Sequence, residues 1–291
     1  MGFESELKAY AERVESKLRE LLPPVEDDAT LLHAAMRYAT LGNGKRLRPG
    51  LAMACAEAVG GSSEDALVAG CAIELVHCFS LIHDDLPAID NDDLRRGQPT
   101  VHRKFDEATA ILAGDALFAL SFELMGRCHP DPVRSLQCVQ ILARASGVTG
   151  LVGGEMLDIW AEGKQVDADT LVVIHQRKTS ALFQAACEVG ATTGGGTPAQ
   201  IQSLGSFGSL LGLAFQIADD VLNETGAPDQ LGKAAGSDRL REKTTYPALF
   251  GLEGAMNEGR KVAEKAQEHL KGFENAYFLA ETLQFSLFRD R

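Results

Sequence analysis

Apolar residues recur at steps of three and four through most of the chain, which is the spacing that places them on one face of an α-helix. Before residue 23, for example, Leu7, Val14 and Leu18 follow this spacing, and Pro23-Pro24 ends it. No stretch alternates apolar and polar residues with the period of a strand, and no repeat is evident. The pattern predicts helices over residues 4–22, 30–41, 51–59, 64–86, 106–128, 133–146, 149–161, a segment containing 175–180, 198–225, and further helices to the C-terminus.

These elements predict an all-α fold in which ten or more helices form a bundle around a central cavity, within a single domain over residues 1–291. The helix that begins near Glu64 is apolar on most of its sides, which is typical of a buried central helix. Apolar residues make up 45% of the chain, enough to fill a large core.

The net charge is −13, which argues against a nucleic-acid partner because phosphate backbones need a basic surface. The N-terminus is charged and lacks the apolar core of a signal peptide. No apolar run reaches the roughly 18 residues typical of a membrane span, so none is predicted. None of the six cysteines forms a CxxC pair, and we interpret them as reduced thiols of a cytoplasmic protein.

Five aspartates fall within ten residues where the central helix ends, and two arginines follow: Asp84, Asp85, Asp90, Asp92, Asp93, Arg95 and Arg96. Carboxylates this close resist ionising together unless a cation lies among them. Mg²⁺ typically binds one or two carboxylates together with substrate phosphate oxygens, and arginine suits phosphate. The stretch therefore indicates a site for Mg²⁺ and a diphosphate, although a solvated acidic turn that caps the helix is the alternative.

A second acidic site is predicted on the helix over 198–225. Gln216, Asp219, Asp220 and Asn223 are spaced so that they share one face, while apolar residues fill much of the rest. Adjacent carboxylates on such a helix are costly unless they are paired or bind a metal. Both a metal site and an ion pair fit this pattern.

Cationic and polar candidates are spread along the chain, at Lys45, Arg48, His77, Lys178, Thr179, Lys233 and Lys243. His77 is seven residues before Asp84 and therefore on nearly the same helix face. Each has a simpler alternative: a basic connector for Lys45, a core histidine for His77, a snorkelling lysine for Lys178 and a surface loop for the last two.

Together with the acidic clusters, these cationic and polar residues indicate an apolar cavity whose mouth binds metal and diphosphate. Such a cavity favours departure of diphosphate from an allylic diphosphate.

The chain resembles the trans-isoprenyl diphosphate synthases, and among them the bacterial farnesyl diphosphate synthase (geranyltranstransferase) type. The resemblance covers nearly the whole chain from about Leu31. It rests on these motifs: Gly-Lys-Arg-Leu-Arg-Pro at 44–49, the aspartate-rich segment 84–90 with Arg95-Arg96-Gly97, Leu-Ala-Gly-Asp at 112–115, Gly-Gly-Glu at 153–155, Lys178-Thr179, Phe215-Gln216 with Asp219-Asp220, and Thr245-Tyr246-Pro247.

The resemblance implies a Mg²⁺-dependent prenyltransferase with about three ions per active site. Asp84 and Asp90, with Asp85 alongside, are expected to hold Mg²⁺ on the allylic diphosphate, and Asp219, supported by Asp220, a further Mg²⁺ on the opposite wall. The groups expected to grip the same diphosphate are Arg95, Lys178, Lys233 and Lys243. Thr179 and Gln216 would border the reacting carbon. The expected ligands of isopentenyl diphosphate are Lys45, Arg48, His77 and Arg96, and a homodimer is expected.

Two features bear on activity and product. The second acidic motif usually ends in aspartate, whereas Asn223 stands here, so we expect weaker metal affinity because an amide carries no charge. The family's chain-length residues precede the first aspartates. Phe79 there favours the C15 product, farnesyl diphosphate, whereas the small Cys78 and Ser80 leave C20 open.

The alternatives from the sequence are a geranylgeranyl diphosphate synthase, a terpene cyclase, and an inactive partner subunit of a heteromeric synthase, which only Asn223 suggests. A cyclase has no need of a second set of diphosphate ligands. The segment that begins at Asp90 does not match a calcium-binding loop, because its sixth position is Arg95, where such a loop needs glycine.

Overall fold

The computed structural model describes residues 2–25, 30–42, 44–225 and 243–287. Its regular structure is almost entirely helical, which confirms the predicted fold class. The elements are α1 (Phe3–Leu21), α2 (Thr30–Thr40), α3 (Leu47–Ala58), α4 (Ser63–Asp84), β1 (Leu94–Arg95), β2 (Gln98–Pro99), α5 (Val101–Lys104), α6 (Glu107–Gly126), α7 (Pro132–Ser146), α8 (Leu151–Ala161), α9 (Ala168–His175), a π-helical segment (Gln176–Ser180), α10 (Ala181–Thr193), α11 (Pro198–Thr225), α12 (Tyr246–Glu268) and α13 (Tyr277–Leu287).

Helix α4 is central: it packs against α3, α6 and α10, and most of its residues are buried. Its start is set by a capping box, in which the Ser62 hydroxyl accepts from a backbone N–H and the Asp65 carboxylate accepts from the N–H of Ser62. Because neighbours surround it, α4 is apolar on nearly every side, as predicted. Its C-terminal residue is Asp84, so the first acidic cluster begins where the buried helix ends.

Three helices in the described part of the chain are long and apolar enough to cross a membrane by length and composition: α4, α6 and α11. The prediction that no run reaches this length is therefore wrong. For α4 the physical reason is burial inside the bundle, since a helix with neighbours on all sides needs no polar face.

A small hairpin departs from the prediction that the chain lacks strands. Strands β1 and β2 pair antiparallel, with Leu94 opposite Pro99 and Arg95 opposite Gln98. Between them, Arg96 and Gly97 have φ values of 52° and 75°. Two consecutive positive φ values are what a two-residue type I′ turn requires, and glycine at the second position adopts one without strain. Strands of two residues are too short to show an alternating pattern, which is why the sequence did not reveal them.

Two further elements differ from the prediction: the start of α3 and the connector before α6. Helix α3 begins at Leu47 rather than Leu51, because Pro49 lies in its first turn, where a missing N–H breaks no helical hydrogen bond. The connector predicted over residues 100–105 contains the single helical turn α5.

A buried ion pair joins α4 to the loop before α3. The Arg46 guanidinium donates from Nη1 to Glu74 Oε1 at 2.7 Å and from Nη2 to Glu15 Oε2 at 2.8 Å. It also donates to the Thr40 carbonyl oxygen at 2.5 Å. Only 2% of the Arg46 side chain and 4% of the Glu74 side chain are exposed. This pair fixes the backbone that carries Lys45 and Arg48.

We expect Glu74→Met to lower the free energy of unfolding by about 3–5 kcal/mol, because it leaves a buried guanidinium without its main counter-ion. Urea unfolding measures the change. The matched control is Glu64→Met, which removes the exposed partner of Arg13 and should cost at most about 1 kcal/mol. Equal losses in the two variants would contradict the structural role given to Glu74.

Candidate active site

The first acidic cluster folds back on the end of α4. The Asp90 N–H donates to the Asp84 carbonyl oxygen at 2.8 Å, and Asn91 adopts a left-handed conformation. Burial, followed by the negative charges of Glu155 and Asp90, raises the pKa of Asp84 to about 7 against the opposing effect of Lys178. Negative charge at Asp84 is thus only partly compensated by the protein, and a cation would relieve it.

Asp85 has a different partner. Its carboxylate accepts two hydrogen bonds from Arg95 Nε, at 2.8 and 2.9 Å, and one from Arg95 Nη2 at 2.6 Å. The Asp85 side chain is buried, and although burial alone would lower the pKa of Arg95, this pairing raises it. The hairpin after Asp93 makes the contact possible by turning the chain back towards α4. Asp85 therefore orients Arg95, a role that the sequence did not predict.

Two lysines from distant parts of the chain converge on one oxygen atom. Lys178 Nζ lies 2.6 Å from Asp158 Oδ2, and Lys243 Nζ lies 2.8 Å from the same atom. Lys178 is also 2.7 Å from Glu155 Oε2. Although burial alone would raise the pKa of Asp158, the two ammonium groups hold it at about 2. Burial alone would lower the pKa of Lys178, but Asp158 and Glu155 raise it.

Glu155 and Asp158 were not among the predicted site residues. They lie three residues apart on α8, directly after Gly153-Gly154, and that glycine pair was the available signal. A Cβ on Gly154 would lie 2.2 Å from the backbone nitrogen of Lys178, so only glycine allows α8 to approach this closely. Lys178 and Thr179 belong to the π-helical segment, a rare feature that is frequent at functional sites.

The second acidic helix joins this segment through hydrogen bonds. Thr179 Oγ1 donates to Gln216 Oε1 at 2.8 Å, and Gln216 Nε2 donates to Asp220 Oδ1 at 3.1 Å. The other Asp220 oxygen accepts from the Tyr246 N–H at 3.1 Å and lies 3.2 Å from His175 Nε2. Asp220 is buried and connects three elements, whereas Asp219 and Asn223 on the same helix are half-buried. Thr179 and Gln216, for which a shared role was predicted, are in direct contact.

Three of the four residues predicted to bind a second diphosphate, His77, Arg48 and Arg96, lie close enough to interact electrostatically. Burial lowers the pKa of His77 well below its usual value, and the guanidinium groups of Arg48 and Arg96 lower it further. A Cβ on Gly44 would lie 3.1 Å from Arg96 Nη1, so the glycine turn and the hairpin are close neighbours. A neutral imidazole beside two guanidinium groups forms a site suited to an anion.

The predicted chain-length residues lie on the last turns of α4. The Phe79 ring packs at 4.8 Å between centroids against both Phe118 of α6 and His83. Cys78 and Ser80 are buried, and the Ser80 hydroxyl donates to the His77 carbonyl oxygen. Lys233, the remaining predicted ligand, lies outside the described residues.

The donor set fits Mg²⁺. Asp84, Asp90 and Glu155 supply hard carboxylate oxygens, and burial together with the charges of the other two raises the pKa of Asp84. Among the described residues no three His, Cys, Asp or Glu side chains are already grouped as a metal site. Mg²⁺ prefers one or two carboxylates plus phosphate oxygens.

The helical architecture is that of the isoprenoid synthase fold, which similar solved structures share. The polyprenyl synthetase family model matches residues 29–279, and the chain belongs to that family. It is 42% identical over 281 residues to geranylgeranyl pyrophosphate synthase 4 of Arabidopsis thaliana, covering 94% of this chain and 75% of that protein. A heterodimeric geranylgeranyl pyrophosphate synthase large subunit 2 of the same plant is 44% identical over 276 residues, covering 94% and 73%.

Solved structures agree over the full length. A farnesyl/geranylfarnesyl (FPP/GFPP) synthase of Zymomonas mobilis superposes with a TM-score of 0.87 at 40% identity, covering 98% of each chain. A geranylgeranyl pyrophosphate synthetase of Pyrococcus horikoshii gives 0.91 at 31% identity, covering 99% and 98%. A Helicobacter pylori geranyltransferase complexed with magnesium and isoprenyl diphosphate gives 0.86 at 32% identity, covering 99% and 97%.

We expect Gly154→Ala to destabilise the protein by about 1–3 kcal/mol, because the new Cβ meets backbone of the π-helical segment that cannot rotate away. Thermal or urea unfolding measures the loss. The control is Gly126→Ala at the end of α6, where a Cβ meets nothing within 4 Å. If both substitutions were equally tolerated, the close approach of α8 would not be needed.

Proposed function

We propose that this prenyltransferase condenses isopentenyl diphosphate with allylic diphosphates and releases geranylgeranyl diphosphate as its main product. The observation that carries the proposal is that two groups of cationic side chains, each suited to bind an anion, lie beside α4. One lies around Lys178 and Lys243 next to Asp84, and the other around His77, Arg48 and Arg96. A terpene cyclase would need only the first of these.

In this assignment the site with carboxylates binds the allylic diphosphate. Lys178, Lys243 and Arg95 grip its oxygens, and Asp84, Asp90 and Asp219 would hold Mg²⁺, with Asp85 and Asp220 orienting neighbouring groups. Bound Mg²⁺ would neutralise charge that builds on the leaving diphosphate.

The chemistry then follows from the positions of the residues. The carbon–oxygen bond of the allylic diphosphate breaks, and the ammonium groups stabilise the diphosphate that departs with the electron pair. Thr179 and Gln216, which are hydrogen-bonded to each other, would stabilise the allylic cation with their oxygen dipoles. The double bond of isopentenyl diphosphate attacks that cation, and the released diphosphate accepts the proton that is lost.

The C20 product is supported by the small side chain beneath Asp84. Ser80 is one helical turn before Asp84 and hence on nearly the same face of α4. The Phe79 ring packs against Phe118 on α6, and in this proposal it limits growth beyond C20 rather than at C15. The plant relatives named above as geranylgeranyl pyrophosphate synthases agree with this choice.

Farnesyl diphosphate is the second candidate product, and Phe79 favours it. A bulky ring five residues before Asp84 lies about 7.5 Å along the helix from the diphosphate. It would stop a growing chain if its edge closed the cavity. The Zymomonas mobilis relative is named for the C15 and C25 products.

For the assembly we propose a homodimer. Ile111 and Leu112 of α6 and Leu136 of α7 are exposed apolar side chains on helices that pack together, and a second copy would cover them. The alternative is a heterodimer with a different partner subunit, because one plant relative is named as a heterodimeric synthase subunit.

The direct test is incubation of the purified chain with isopentenyl diphosphate, dimethylallyl or geranyl diphosphate, and Mg²⁺, followed by chromatographic sizing of the product. We expect C20 as the main product and loss of turnover with a chelator. C15 alone would select the second candidate, a cyclic hydrocarbon from the allylic substrate alone would indicate a cyclase, and a folded but inactive chain would indicate a partner subunit.

Product length should also respond to Phe79. We expect Phe79→Ala to yield longer products than the unaltered chain, because removal of the ring opens the space in front of Phe118. Phe79→Tyr keeps the ring and should leave the length unchanged. If Phe79→Ala left the product distribution as it was, a different residue would set the floor of the cavity.

A further inference from the structure

Helix α13 places an aromatic ring against one of the predicted isopentenyl diphosphate ligands. The Lys45 ammonium lies 4.6 Å from the centroid of the Phe285 ring, within the range of a cation–π contact. Lys45 is exposed and Phe285 is half-buried, so an anchored ring packs against a lysine at the protein surface.

We propose that Phe285 is a positioning residue for isopentenyl diphosphate, because its ring holds the ammonium of Lys45, and Lys45 follows Gly44, which lies next to Arg96. The inference rests on the function proposed above for those cations. It adds a role for the last described helix, which no sequence motif indicated.

The physical argument concerns the freedom of a lysine side chain. Lysine loses much rotamer entropy when it is ordered, and a group that restricts it before binding reduces that loss. A ring can do this without competing for the ligand. An ammonium has three N–H donors, so it can contact the ring face and still donate to phosphate oxygens.

Both ends of the lysine side chain are held by fixed parts of the structure. Its backbone adjoins Arg46, which the buried pair with Glu74 immobilises. The Phe285 ring is backed by Phe3 at 5.5 Å, and Phe3 in turn packs against Phe278 at 5.3 Å. The start of α1 and the end of α13 therefore form one wall behind Lys45.

The test compares KM values for the two substrates. We expect Phe285→Leu to raise KM for isopentenyl diphosphate about 2- to 5-fold, the effect of losing one exposed cation–π contact. KM for the allylic diphosphate and kcat should not change. Phe285→Tyr keeps a ring face and should restore KM to that of the unaltered chain.

Two further variants separate positioning from general loss of packing. Phe278 is on the same helix, but its ring packs against Phe3 and Tyr10. Phe278→Leu should therefore lower thermal stability without a selective change in KM for isopentenyl diphosphate. In a Lys45→Gln background, Phe285→Leu should have no additional effect, because it acts through the ammonium.

The outcomes are distinct. If Lys45→Gln left KM for isopentenyl diphosphate unchanged, the proposed role of Lys45 would fail, and the inference with it. If Lys45→Gln raised that KM but Phe285→Leu did not, only the inference would be overturned. Equal increases in both KM values for Phe285→Leu and Phe278→Leu would show that the ring is merely structural.

Discussion

The candidate site depends on the ion pairs that one carboxylate, Asp158, forms with two lysines. Lys178 and Lys243 would repel each other in a half-buried site, and Asp158 brings them to a single oxygen atom. In the proposed function, a diphosphate would meet ammonium groups that Asp158 already holds in place. Asp84 is the opposite case, because burial and then the nearby charges of Glu155 and Asp90 raise its pKa to about 7. The two halves together suit a diphosphate with its metal ions: ammonium groups for the anion, and a carboxylate of raised pKa for Mg²⁺.

Small residues and turns make this arrangement possible. Gly154 allows α8 to contact the π-helical segment, which directs Lys178 towards α8 while Thr179 faces Gln216 on α11. On the other side, the Arg96-Gly97 turn brings Arg95 back to Asp85 at the end of α4. Neither contact involves residues that are near one another in a single helix. The site is therefore a product of how elements pack, and a change in backbone spacing would displace several charges at once.

The sequence predicted those features that depend on local periodicity. The helices, the buried character of α4, the shared face of Gln216 and Asp219, and the alignment of His77 with Asp84 follow from spacing alone. The partners could not be predicted, because they depend on packing between elements. The pairing of Asp158 with Lys178 depends on how α8 meets the π-helical segment, and the pairing of Asp85 with Arg95 depends on the hairpin. The boundary of α3 was missed because Pro49 looks like a break, although a first turn tolerates it.

On the second acidic helix, α11, the neighbouring residues Asp219 and Asp220 have different surroundings. Both oxygens of Asp220 contact protein groups, from Gln216, Tyr246 and His175, and burial with the Asp220 charge raises the pKa of Tyr246 to about 12. Asp220 thus organises α9, α11 and α12. In the proposed function, metal binding on α11 would therefore depend on Asp219, with the uncharged amide of Asn223 where a further aspartate is usual. Less negative charge on this wall makes the binding of a cation there more dependent on the phosphate oxygens of the substrate, so we expect the metal of the second wall to bind with the diphosphate rather than before it.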